Sequence, residues 1–139
     1  MMNYKNLCFI FGSVFVFVGL LGFIPNPLVS SVGIFEVNAM HNLVHILTGA
    51  AFLIGGFFLP GKEGITLKAV TAAYFGVAVL GFLTSGNMLL GMVHINEADR
   101  WLHLGLAVAM LAAVFAASSL KPQSSKVEIV RWHSAKTLN

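Results

Sequence analysis

An all-α membrane protein, a four-transmembrane-helix bundle built from two tandem helical hairpins, is the fold this sequence predicts. Three observations predict it. Of 139 residues, 58% are hydrophobic and only 9% charged. Soluble domains average about 25% charged residues, so these few could not cover a water-facing surface. The apolar residues fall into four runs, roughly 7–25, 41–59, 66–84 and 99–119. Each is near the length needed to cross about 30 Å of hydrocarbon, where backbone groups must pair within a helix. Finally, one polar block occurs twice. Residues 33–45 and 91–103 both fit Gly-x4-Asn-x2-[His/Asp]-x3-His without a gap.

The first run follows Lys5 and could pass for a signal peptide. No small-x-small cleavage site follows it; Ile24-Pro25-Asn26-Pro27 does. Leu21-Gly22-Phe23 also answers Leu80-Gly81-Phe82 in the third run. The first run is therefore expected to be retained as a span. It carries the lone cysteine, Cys8, which can form no internal disulfide and reads as a small apolar residue.

Pro25-Asn26-Pro27 opens the first outer loop and Ser85-Gly86-Asn87 the second. Both loops are apolar, with Leu28, Val32, Ile34, Leu89, Met92 and Ile95 among them. They are expected to lie in the headgroup zone or folded over the helix ends; the alternative is that the third span runs on to about residue 92. The short link Pro60-Gly61-Lys62-Glu63-Gly64 joins the hairpins. Both copies start on the same side, so the duplication is parallel, with a pseudo-twofold axis along the membrane normal. In the fourth run Gly105, Ala109, Ala113 and Ala117 recur every four residues, an expected face of close helix packing about 200° from His103. The expected division is a transmembrane domain 1–120, with hairpins 7–59 and 66–119, and a polar tail 121–139.

Basic residues set the orientation. Lys5, Lys62, Lys68, Lys121, Lys126, Arg131 and Lys136 fall on one side and only Arg100 on the other. By the positive-inside rule both termini are cytoplasmic and both polar blocks face outward. A multi-pass protein of the bacterial inner membrane is expected, with the lipid bilayer as first partner and a homo-oligomer or larger membrane complex as further ones. The net charge of +3 comes from the cytoplasmic side, and the tail with Trp132 and His133 suits anionic headgroups. No basic patch interleaved with aromatics points to nucleic acid.

The polar blocks carry the chemistry. Asn38 and Asn96 stand where helix N-caps belong, and Asp99 falls at the third helical position, as in a capping box. The histidines need another account. His41 and His45 are four residues apart, as are Asp99 and His103, so each pair shares a helix face. If these faces meet at the axis, His41, His45, Asp99 and His103 form a metal-ligand set suited to Zn or Cu. Gly49 and Ala107, one turn deeper, leave room for a ligand or for tight helix contact. Glu36 and His94 align with each other in the two loops as capping or outer-shell groups. Arg100 points away from Asp99 on the helix, toward lipid phosphate or Glu36. Two alternatives stay open: a structural hydrogen-bond cluster including Asn42, with no cofactor, and haem b held by His45 and His103.

Met40-His41-Asn42-Leu43-Val44-His45-Ile46-Leu47-Thr48-Gly49 and Asn96-Glu97-Ala98-Asp99-Arg100-Trp101-Leu102-His103-Leu104 together resemble a bacterial family of small four-helix membrane proteins. It is domain-of-unknown-function family 4383, and the similarity covers nearly all the chain but the tail. Where that family usually has Asp-Asn, this chain has Asp99-Arg100, which puts a charge at the edge of the site. The resemblance implies a four-helix integral membrane protein and supplies no activity.

Three functions follow as expectations: a metal-binding or metal-sensing membrane protein; an accessory or structural subunit whose polar cluster pins helix geometry; and a small haem or quinone electron-transfer protein. The chain has no nucleophile elbow, phosphate loop or Cys-x-x-Cys, and Asn42 stands where a His-Glu-x-x-His protease needs glutamate. Enzymatic activity is not the expectation.

Overall fold

A computed structural model describes residues 3–119. The tail 121–139, with Trp132, His133 and four of the basic residues used for orientation, lies outside the described residues. Four helices are present: α1 (Tyr4–Leu21), α2 (Ala39–Phe57), α3 (Glu63–Leu83) and α4 (Glu97–Ser119). Each is long and apolar enough to cross a membrane, so the chain is a multi-pass membrane protein. Their outer surfaces carry exposed Phe17, Leu47, Ile65 and Phe115, side chains that lipid solvates and water does not.

Side-chain caps start three of the helices. Asn3 Oδ1 accepts from Asn6 N at 2.8 Å, Asn38 Oδ1 from His41 N at 2.9 Å and Asn96 Oδ1 from Asp99 N at 2.9 Å. Each occupies an amide left free in the first turn. The start of α3 has no such cap; Gly61, at φ +81°, turns the chain out of α2 instead.

α1 packs most closely on α2, and α3 next most closely on α4. Gly49 permits the first pairing. A Cβ there would stand 2.7 Å from both Gly12 O and Val16 N, so the two backbones are nearly in contact. Of the two expected uses of Gly49, tight helix contact is the one found. The close-packing face expected on α4 is not used as such: Gly105 and Ala109 are exposed, and a Cβ on Gly105 would meet nothing within 4 Å. Only Ala117 of that stripe is buried. The glycines of α1 and α2 take the close approach, so α4 can stand farther off.

The third span stops at Leu83 rather than running on to residue 92. Both outer loops contain a two-residue ladder. In the first, β1 (Val29–Ser30) pairs in parallel with β2 (Phe35–Glu36); in the second, β3 (Met88–Leu89) pairs antiparallel with β4 (Val93–His94). Asn26 organises the first loop, donating to Val29 O and accepting from Leu28 N and Val29 N. Val37, Leu89 and Ile95 are buried while Val32, Leu90 and Met92 stay exposed. The loops therefore fold over the helix ends and keep an apolar rim.

Inside the bundle the layers change character with depth. The half away from the polar blocks is mostly apolar, with Leu7, Phe52, Leu67, Met110 and Val114 buried and Thr71 buried among them. Above it Phe15 meets Tyr74 edge-on, ring centroids 5.0 Å apart, and touches the His45 ring at 5.5 Å. Above that aromatic layer lie the histidines.

Candidate metal centre

The two capping asparagines do more than start helices. Asn38 Nδ2 donates across the bundle to Met92 O at 2.8 Å, and Asn96 Nδ2 donates to Ile34 O at 2.8 Å. Each asparagine thus ties the first turn of one helix to the opposite loop. His41, on α2, and Asp99, on α4, stand three residues beyond these fixed points, which sets their depth and heading.

Three imidazoles meet there. Ring centroids of His41 and His45 are 4.8 Å apart, those of His41 and His103 5.3 Å, and those of His45 and His103 5.6 Å. One ring nitrogen from each lies within 4.8 Å of the others, and all three residues are buried. The Asp99 carboxylate is not part of that set. It sits behind the rings, with Oδ1 3.3 Å from His103 Nδ1 and Oδ2 3.7 Å from His41 Nδ1.

Backbone carbonyls fix the tautomers of two rings. His41 Nδ1 donates to His94 O at 2.6 Å, and His103 Nδ1 donates to Asp99 O at 2.8 Å. A carbonyl oxygen can only accept, so each Nδ1 carries the hydrogen in these bonds and each Nε2 keeps its lone pair in the neutral ring. This is the arrangement that metal-binding histidines favour. The His45 ring makes no hydrogen bond among the described residues. Asp99 is 2% exposed and its Oδ2 has no hydrogen-bond partner. A buried carboxylate oxygen left this way is costly unless positive charge lies nearby.

The other expected residues are distributed around this centre. Glu36 and His94 form a half-exposed pair above it, with Nε2 and Oε2 3.8 Å apart and His94 Nδ1 on Glu36 O at 3.2 Å. Asn42 does not join the histidines. Its Oδ1 is buried without a partner, and its amide fills the space beside Gly22 of α1. Arg100 does not meet Glu36, one of its two expected partners: Nη1 pairs with Glu97 Oε2 at 3.2 Å and Nη2 donates to Gly86 O. Its stem lies beside Gly81, as Asn42 lies beside Gly22. Ala107 is fully buried.

A cavity of about 110 Å³ adjoins the three histidines, between α2 and α3. Sequence reasoning passed over Tyr74, which stacks on His103, centroids 5.3 Å apart and 17° between planes, while Arg100, expected at the edge of the site, is among the lining residues. Tyr74 left one trace in the sequence: it is one of only two tyrosines and lies in the middle of an apolar span.

Residues 5–116 match the family described as a domain of unknown function (DUF4383). The chain belongs to that family. The match spans all four helices and both polar blocks, and the DUF4383 description assigns them no activity. No curated protein and no solved structure matches the chain.

Proposed function

We propose that this DUF4383 protein is a metal-binding or metal-sensing membrane protein whose outer end holds one Zn or Cu ion. His41, His45 and His103 are the ligands, and the Asp99 carboxylate supplies negative charge behind two of them, 3.3 Å from His103 Nδ1 and 3.7 Å from His41 Nδ1. One observation carries this reading: three buried imidazoles converge beside a buried carboxylate that has an unsatisfied oxygen. A dication offsets that charge, and two rings already present the tautomer that coordination needs. Ligand nitrogens about 2.0–2.1 Å from tetrahedral zinc lie roughly 3.4 Å apart. Rotation of the rings from their 4.8 Å spread closes the set. Three protein ligands leave a fourth position open toward the cavity.

The test is elemental analysis of protein purified without chelators, followed by dialysis against zinc. About one zinc or copper per chain is expected, lost in the His45→Ala, His103→Ala double variant. A wild-type chain that takes up neither ion at micromolar concentration overturns the reading.

The second reading is an accessory or structural subunit of a membrane complex. It is favoured by the two Nδ1 bonds to carbonyls and the two crossed asparagine bonds, which hold the outer end together without any guest. Haem b is less favoured, because about 110 Å³ is well below the roughly 300 Å³ at which drug-sized pockets begin. In either reading we place the protein in the bacterial inner membrane with both termini cytoplasmic, on the distribution of basic residues, and we keep a homo-oligomer or larger complex as its assembly.

A further inference from the structure

The cavity beside the histidines has two kinds of surface. Its walls are apolar, with Val44 on α2 and Val70, Val77 and Ala78 on α3. Val44 and Ala73, one on each wall, are exposed on the side of the bundle. The cleft therefore reaches the lipid-facing surface between the two helices. The α3 face that lines it runs from Val70 to Gly81, about 16 Å of helix.

Two of its polar groups share one property. The Tyr74 hydroxyl is buried with no hydrogen-bond partner, and so is Arg100 Nε. Both residues line the cavity. Each has a hydrogen to give, and the guanidinium can do nothing else. The Arg100 charge is already met by Glu97, and Asp99 lies one residue away on α4. What these two donors lack is therefore an acceptor rather than an anion.

We infer that this cleft binds a lipid-dissolved molecule with an apolar body and a neutral carbonyl oxygen, the chemistry shared by quinones and acyl esters. The carbonyl accepts from Tyr74 or Arg100, and the body lies along the Val70–Gly81 face. About 110 Å³ is somewhat less than the roughly 150 Å³ that holds a benzene ring. Only the carbonyl end enters, and the rest of the molecule, a quinone ring included, lies in the open cleft. This inference stands beside the metal reading and uses residues outside the proposed ligand set, so each can fail alone.

The test uses wild-type protein in phosphatidylcholine nanodiscs, both chelator-stripped and zinc-treated, with carbonyl-¹³C decylubiquinone or methyl oleate followed by infrared difference spectroscopy. A saturable downshift of the carbonyl band at one molecule per chain is expected in stripped protein. A shift with decylubiquinone alone assigns a quinone, and one with methyl oleate alone assigns an acyl ester. Tyr74→Phe should weaken binding roughly five- to tenfold, the loss of one hydrogen bond. Arg100→Lys, which keeps the charge and removes Nε, should weaken it similarly. Tyr4→Phe, whose hydroxyl bonds Ser118 at the far end of the bundle, should not. The inference is overturned by no saturable shift with either compound, by unchanged affinity in both site variants, or by dodecane or oleate competing as well as the carbonyl probes. A shift in stripped protein that binds no zinc leaves the inference standing and removes the metal reading alone.

Discussion

Asn38 and Asn96 hold the two outer loops in a crossed pair of bonds, Asn38 Nδ2 to Met92 O and Asn96 Nδ2 to Ile34 O, both 2.8 Å. Each side chain uses its oxygen to cap its own helix and its nitrogen to grip the opposite loop. Removing either loses a cap, about 1 kcal/mol, and a second bond of similar size. Asn38→Ala and Asn96→Ala should each destabilise the protein by about 1.5–2.5 kcal/mol in SDS titration from mixed micelles. The two losses should not add, since both act on one loop pair; a coupling of at least about 0.5 kcal/mol is expected from the double variant.

The closeness of α1 and α2 makes a sharp contrast between two glycines. Gly49→Ala sets a methyl 2.7 Å from two backbone atoms, which do not yield as a flexible side chain does. Forcing the helices apart should cost about 1–3 kcal/mol. Gly105→Ala, with nothing within 4 Å, should be neutral or stabilising by up to about 1 kcal/mol through helix propensity. The same titration compares the two, and equal effects would contradict the packing described.

Leu90 is a residue under strain. It adopts φ 52° beside Gly91 at φ 72°, at the tip of the second loop, and is exposed. The left-handed region costs a side-chain-bearing residue about 1–2 kcal/mol. Leu90→Gly should therefore raise stability by up to about 1 kcal/mol, part of the gain being lost to the freer unfolded chain. A lower midpoint in that variant would mean that the leucine anchors the loop in lipid.

Asp99 separates an orienting role from a ligating one. If the carboxylate acts through Nδ1 of His41 and His103, Asp99→Asn should weaken zinc binding by about 10–100-fold and retain the stoichiometry. His103→Ala should lose the ion under the same conditions. Isothermal titration of both variants checks this, and equal loss in the two would make Asp99 a direct ligand.

Orientation is open to labelling. In a Cys8→Ser background, Asn87→Cys should react with an impermeant maleimide from outside the intact cell, while Lys62→Cys should react only after permeabilisation. Both positions are exposed. The reverse pattern would turn the bundle over.

Much of this was legible beforehand because it depends on short-range periodicity. Asn38 and Asn96 stand three residues before the amides they cap, and His41 with His45 one helical turn apart, so these relations follow from spacing alone. The meeting of His103 with His41 and His45 was inferred from the doubled block, and the rings do adjoin. Lateral order was not legible. Nothing in periodicity says that Gly49 meets α1, that Gly105 meets nothing, or that Asn42 turns toward Gly22 rather than the histidines. Tyr74 was missed for a related reason: α3 contains no polar block, and a tyrosine within an apolar run looks like packing until its neighbours are known. Spacing put Asp99 at the depth of the histidines, but it does not say on which side of an imidazole a carboxylate lies; the structure places it at Nδ1 of His103 and His41.

The carbonyl of His94 holds the His41 ring at 2.6 Å, and the carbonyl of Asp99 holds the His103 ring at 2.8 Å. Both restraints come from main chain and not from side-chain identity. The His103 ring is held within α4 itself, and the His41 ring once the second loop closes over the bundle. A guest arriving later finds two rings already held at Nδ1 and spends less of its own binding energy on ordering them.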